Sequence, residues 1–492
     1  MAESKAETQT AAEAPASNRS TTPGSERFRD FIAGQWATRT DVLPEPRTQA
    51  PFAAARRSRL SELYAGKRIV VPAGDPKQRS NDTDYPFRAH SSFSWLTGWG
   101  ADSEPGAILV LEPLAAGGHE ATLYFRERAG RDSDEFYANS EIGEFWIGAR
   151  PSLAQVASDL VLATKDIAEF AAVLDSIGVT EDGLSDTVLA REASPELVSG
   201  TDADADATLA RNLSEFRLVK DEYEIEQMRL AVAATAKGFD DVIRDLPRSS
   251  AHPRGERLVE GVFYTRARED GNAVGYDTIA ASGPHACILH WTTNDGPVEP
   301  GDLMLLDAGV ELDSLYTADI TRTLPINGRF SAIQRDIYEV VREAADAAFA
   351  VVRPGVIFRE LHQTAMAVIA RRTAEWGLLP VSADEAMDPE NQQHRRYMVH
   401  GTSHHLGLDV HDCAKARREM YLDGVLEAGM VFTIEPGLYF QPDDLTVPEA
   451  FRGIGVRIED NILVTADGGE NLSVGIPRSA DDVEAWIARL QA

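Results

Sequence analysis

Four apolar, strand-like runs in the second half of this chain each contain one acidic residue: Asp307 after LMLL, Asp319 in TADITRT, Glu435 after VFTI and Glu459 after GVRI. Aspartate and glutamate are disfavoured inside strands, and an unpaired buried carboxylate is costly. The runs fall into two pairs, DLMLLDAGVEL with YTADITRTLPI and GMVFTIEPGLYF with GVRIEDNILVT, each set beside helical segments. This predicts two similar halves of one domain. Taken singly, each acid could be a strand end turning to solvent, or an ion pair with Arg322 or Arg457. Four in matching hairpins point to a cluster instead. Ionised, they would carry the charge of two divalent cations and would repel one another without them.

Carboxylates with one or two imidazoles form a hard-to-borderline donor set, suited to Mn2+ and also to Co2+ or Zn2+. Two such ions about 3.5–4 Å apart lower the pKa of a shared water and polarise a carbonyl, the apparatus of metal-assisted hydrolysis. Imidazoles are concentrated in HGTSHHLGLDVHD, residues 400–412, which holds four of the chain's 11 histidines. His400 and His404 have the spacing of a zinc helix, but Gly401, Thr402 and Ser403 are poor helix formers and no glutamate follows His400. A loop or irregular strand is expected there, giving one histidine to the metals and others to the substrate. Histidine alone leaves other readings open: His290 as a packed strand residue, His400 as a turn cap, His411 as a partner of Asp409 or Asp412.

At 492 residues the chain exceeds one ordinary core. Residues 1–26 are rich in Ala, Glu, Ser and Thr and read as a disordered tail, with structure starting at SERFRDFIAGQW. From there to about 200, strand-like KRIVVPAG, GAILVLEP and ATLYFRE alternate with helical patterns such as ASDLVLATKDIAEFAAVLDSI, an α/β unit. SGTDADADATLARN, 199–212, reads as a surface loop or junction, placing the division at 205/206. After it come one long amphipathic helix in EFRLVKDEYEIEQMRLAVAATAKGFDDVIRDL and two more in SAIQRDIYEVVREAADAAFAVV and FRELHQTAMAVIARRTAEWG. The formal net charge of −31 argues against nucleic acid or an anionic membrane as partner. Two cysteines give no disulfide framework, no run is long enough for a membrane span, and the N-terminus lacks a signal pattern, so a cytoplasmic protein is expected.

LLDAG (305–309), ADITRT (318–323), HGTSHHLGLDVHD (400–412), TIEPGLY (433–439) and GVRIEDNI (455–462), in this order, resemble the aminopeptidase P, prolidase and creatinase-like family of dimetal peptidases, and YPFRAHSSFSWLTGW (85–99) resembles its non-catalytic domain. The resemblance implies a creatinase-like α/β domain over 27–205 and an α+β pita-bread catalytic domain with pseudo-twofold halves over 206–492. It implies Asp307 as terminal ligand of one metal, Asp319 and Glu459 as bridging ligands, and His404 and Glu435 on the second metal. Glu435 doubles as the general acid/base, with His290, His400 and His411 beside the substrate. Arg457 and Tyr439 are candidate supporting partners. The implied activity is that of a metalloaminopeptidase using a metal-bridging hydroxide on peptides with proline in second position, in a homodimer or homotetramer. A prolidase limited to Xaa-Pro dipeptides shares every ligand, and a pseudo-enzyme that only binds peptides is the remote alternative. Two departures stand out: His405 where the family has an aromatic residue, and a longer turn at DSLYT.

Overall fold

Ser25 accepts a hydrogen bond from the Phe28 amide and starts helix α1 (Glu26–Ala33), where the sequence predicts structure to begin. The computed structural model describes residues 21–492, apart from 82, 180–182, 184, 196 and 198–199; the tail expected over 1–26 lies outside the described residues up to residue 20.

The first unit is built on a five-stranded sheet of β1 (Arg68–Pro72), β2 (Ile108–Pro113), β3 (His119–Phe125), β4 (Ala163–Asp166) and β5 (Thr187–Leu189), in the order β4-β3-β2-β1-β5. Strand alternation sends Ile69, Val71, Leu109 and Leu111 to one face and Val70, Ile108 and Val110 to the other. The first face is covered by α2 (Ala50–Leu63) and α3 (Ser91–Thr97), and its core runs on without a break into Leu315, Tyr316, Leu406 and Leu408 of the second unit. The two units therefore share apolar packing.

Two elements differ from the sequence reading. The helix expected through ASDLVLATKDIAEFAAVLDSI is interrupted: α4 (Leu153–Leu160) stops at Val161 in left-handed conformation, ATKD becomes β4 parallel to β3, and the helix resumes as α5 (Phe170–Asp175). The loop expected at 199–212 is mostly helix α6 (Ala203–Phe216), because Asp202 caps it through the Asp204 and Ala205 amides and the alanines between the aspartates favour helix. Residue 206, where the division was expected, lies inside α6, and its carboxylate accepts the Leu189 amide, tying α6 to the first unit.

Asp221 and Glu224 form a capping box that starts α7 (Glu222–Ser250), which packs on α8 (Gly255–Asp270), a helix the sequence reading passed over. The first half then contributes β6 (Ile279–Ser282), β7 (Leu303–Ala308) and β8 (Ile320–Pro325), in the order β8-β7-β6. Helices α9 (Ala332–Ala350) and α10 (Arg359–Glu375) follow as predicted. In the second half β9 (Val431–Ile434) pairs with β12 (Asp460–Val464), and β10 (Gly437–Tyr439) with β11 (Gly455–Arg457). The backbones at the turn after β7 are pressed together: a Cβ on Gly309 would stand 1.7 Å from the Ala318 carbonyl oxygen, so only glycine fits. Among the described residues no helix is long and apolar enough to cross a membrane.

Candidate metal centre

Of the four strand acids, only Asp307 lies inside a ladder, opposite Thr321. Asp319 immediately precedes β8, and Glu435 and Glu459 occupy the gaps between β9 and β10 and between β11 and β12, a correction to four acids within strands. The gaps have local causes. Pro436 follows Glu435 and has no N–H to give a ladder. The Glu435 amide bonds the Thr402 carbonyl (2.8 Å), and the Glu459 amide crosses to the Thr321 carbonyl of the first half (3.1 Å). None of the four turns to solvent as a free strand end would: Asp307, Asp319 and Glu459 are 7%, 5% and 1% exposed.

Their oxygens converge. Tyr276 Oη stands 2.6 Å from Asp307 Oδ1 and 2.5 Å from Asp319 Oδ1. Arg457 bonds Asp307 Oδ2, and its Nε donates to Thr321 Oγ1 (3.0 Å), which donates to Glu459 Oε2 (2.8 Å). His404 Nε2 lies 3.3 Å from Asp319 Oδ2 and 3.4 Å from Glu435 Oε1. Its Nδ1 faces the His405 carbonyl (3.2 Å), which can only accept, so Nδ1 carries the proton in the neutral ring and Nε2 presents its lone pair. One ligand atom each from Asp319, His404 and Glu459 lie within 4.8 Å of one another.

The electrostatics of this cluster ask for cations. Burial, followed by the charges of Asp319, Glu435 and Asp307, holds Glu459 well above the usual carboxylate range. Glu435 is pushed up to about 7 by burial and the Asp319 charge, against the pull of His404. Burial would lower His404, but its hydrogen bond to Asp319 and the charge of Glu435 outweigh that and raise it to about 9. Left alone, the group must keep protons to remain buried; divalent ions would replace them, and this carboxylate and imidazole set fits Mn2+, Co2+ or Zn2+.

The cluster floors a cavity of about 450 Å³ whose walls include His290, His400 and His411. His290 and His411 are exposed at its rim. The His411 ring stands perpendicular to that of His404 at 4.5 Å between centroids. His400 is engaged at both nitrogens, Nδ1 with the Gly401 carbonyl (2.6 Å) and Nε2 with Tyr439 Oη (2.8 Å). Arg457 Nη1 donates to the same Tyr439 oxygen (3.1 Å), leaving the phenolic proton for His400. Burial and the Arg457 charge push His400 down to about 3, so its ring is neutral.

Residues 226–466 match the model of metallopeptidase family M24, and residues 53–184 match the aminopeptidase P N-terminal domain. Xaa-Pro aminopeptidase 2 of Streptomyces coelicolor is 52% identical over 446 residues, covering 90% of this chain and 92% of that protein. The Xaa-Pro aminopeptidase of Escherichia coli is 32% identical over 454 residues, covering 89% and 97%. This chain belongs to metallopeptidase family M24. Solved structures agree: Escherichia coli aminopeptidase P in complex with substrate matches with a TM-score of 0.75 at 29% identity, over 92% of this chain and all of that one. Pseudomonas aeruginosa aminopeptidase PepP matches at 0.76 and 30%, over 90% and 99%.

His405, where the resemblance leads to the expectation of an aromatic residue, does not wall the cavity. Its ring is fully buried, stacked on Phe358 at 4.6 Å and edge-on to Tyr421 at 4.7 Å, and both nitrogens lack hydrogen-bond partners. The imidazole takes an aromatic residue's place in the core. Two residues that support the site escaped the sequence reading. Tyr276, in VGYDT, has no signal beyond its aromatic type. Glu256, at the start of α8, is fully buried and accepts from the Ser282 and Gly296 amides, His285 Nδ1 and Trp291 Nε1 at 2.7–2.9 Å, shaping the loop that presents His290. Only its position beside an unassigned helix start could have flagged it.

Proposed function

We propose that this chain removes the N-terminal residue from peptides with proline in second position, Xaa-Pro-Yaa, using two divalent cations, with Mn2+ preferred. The observation that carries the reading is the buried carboxylate and imidazole cluster at the floor of an open cavity, in a chain about half identical to an Xaa-Pro aminopeptidase over most of its length.

In this reading Asp307 would hold one ion, His404 and Glu435 the other, and Asp319 and Glu459 would serve both. Bound there, the ions lower the pKa of a water and polarise the scissile carbonyl. Glu435 takes a proton at its carboxylate as the water attacks and returns it to the proline nitrogen. His290 and His411 orient the carbonyl and stabilise the developing oxyanion, while His400 holds Tyr439 and Arg457 in line behind Asp307.

The prolidase alternative needs a basic side chain for the free carboxylate of a dipeptide. Among the described residues lining the cavity, Arg457 is the sole lysine or arginine, and it is engaged by Asp307, Thr321 and Tyr439. That favours an open far end and longer substrates. The test compares an Xaa-Pro dipeptide with a pentapeptide sharing its first two residues, after chelation and readdition of Mn2+, Co2+ or Zn2+. The expected result is no activity in chelator, best recovery with Mn2+, and release of only the first residue from the pentapeptide. Cleavage confined to the dipeptide would make this a prolidase; full activity in chelator would end the metal reading.

A further inference from the structure

Two aspartates flank His411, and neither holds its ring. Asp412 is buried against Lys220 Nζ (3.1 Å) and Arg217 Nη2 (3.2 Å). Asp409 faces the first unit: Ser91 Oγ, at the start of α3, donates to its Oδ1, and Arg88 Nη1 lies 3.6 Å from the same oxygen. Arg217 Nη2 donates to its Oδ2 (3.3 Å). Arg88 also bonds the Leu408 carbonyl, one residue earlier, and Glu311 Oε2 (2.6 Å).

The surrounding backbone shows that this is a built junction. Gly100 of the first unit lies so close to the turn before Asp319 that a Cβ would stand 2.2 Å from the Asp313 carbonyl oxygen, and the Ala101 amide bonds that oxygen (2.8 Å). The Thr317 amide in turn bonds the Gly407 carbonyl (3.0 Å). The turn at DSLYT is thus the surface on which the first unit and the 407–412 loop meet.

We infer that Asp409 is a positioning residue, the fastening through which the N-terminal unit holds the 407–412 loop so that His411 faces the cavity. The inference rests on the proposed role of His411. Asp409 gathers its partners from two stretches remote in sequence, Arg88 with Ser91 at the start of α3 and Arg217 at the end of α6. A side chain that must meet a reacting carbonyl needs its loop held to about half an ångström, and a loop fixed only at its own ends does not supply that.

The test uses the full-length, metal-loaded protein. Asp409→Asn keeps the shape but loses the charge, and should lower kcat on an Xaa-Pro-Yaa tripeptide about tenfold, with bound metal unchanged. Arg88→Ala, on the other unit, should give a similar fall. In a His411→Ala background, D409N should change kcat no further. The same fall with and without His411, or none in the native background, would overturn the inference. A second readout does not depend on the reaction: with diamagnetic Zn2+ as the loaded ion, the His411 imidazole signal in histidine-labelled protein should shift or broaden in D409N and R88A while that of His362 stays. Wild-type protein inactive on every Xaa-Pro peptide would sink the proposed function, and the His411 signal alone would then decide the positioning claim, an unmoved signal overturning it.

Discussion

In the first half of the catalytic unit Asp307 projects from an unbroken ladder in which six residues of β7 face six of β8; in the second half Glu435 and Glu459 stand where paired strands break. The side chains follow the backbones. Asp307, with its strand directly beneath it, and Asp319, at the foot of the neighbouring strand, reach the centre as short carboxylates, whereas the two acids at the gaps of the second half are both the longer glutamate. The gaps also free backbone amides, and these bond the Thr402 and Thr321 carbonyls. One half supplies rigidity, the other reach and cross-linking.

If this division is right, exchanging lengths should damage both halves. Asp307→Glu and Glu435→Asp are each expected to lower kcat/KM by about a hundredfold, the typical cost of misplacing a reacting group by about an ångström. Near-wild-type activity for either would show that the backbones do not dictate the choice of acid.

The joint between the halves is the next point to strain. Arg457 leaves β11 and ends on Asp307 of β7, with both side chains nearly buried. Arg457→Met leaves Asp307 without that partner and should cost about 3 kcal/mol of stability in metal-free protein. Urea unfolding in chelator measures it, and a bound cation should shrink the loss. A change no larger than that of a surface substitution would mean the halves are not joined there.

The smallest effect is expected in the second half, behind the site. His405→Phe should alter stability at neutral pH by less than about 1 kcal/mol, because the ring already packs as an aromatic and forms no hydrogen bonds. The difference should grow in acid. Burial, aided by the Lys220 ammonium, pushes the His405 imidazole down to about 3, while an unfolded histidine titrates near 6.5. The unfolded chain therefore binds more protons between those values, so the stability tied to this neutral ring is complete above about pH 6.5 and is lost as the pH falls toward 3. The phenylalanine variant should lose less over that window; identical acid transitions would remove His405 from the account.

The acids Asp307, Asp319, Glu435 and Glu459 were legible because a carboxylate in an apolar run breaks a strong local rule, whereas the choice of His404 among four crowded histidines came only from the family resemblance. The backbone setting of the acids was legible only in part: Pro436 marks the break after Glu435, but the Glu435 amide bonding the Thr402 carbonyl and the Glu459 amide crossing to Thr321 leave no sequence signal. Helix α6 was misread because the alternating Asp and Ala at its start hide the stripe of Leu209, Leu213 and Phe216 that packs on the first unit's core, and because the Asp202 cap and the Asp206 bond to β5 that also hold it leave no periodic trace. Strand β4 was hidden inside a helical pattern because ATKD gains strand geometry only by lying along β3. Tyr276 and Glu256 act through partners far along the chain, which leave no periodic trace.

The contact at Gly309 has a consequence for how such a protein can change over time. The Ala318 carbonyl that blocks any side chain there belongs to the residue just before Asp319, so a single added methyl would have to move that aspartate away from Asp307. Neither a new substrate preference nor greater heat resistance offers a path through position 309. A saturation library should find it closed to every alternative under selection for turnover, while an exposed wall position with no assigned role, such as Thr292, remains open to variation.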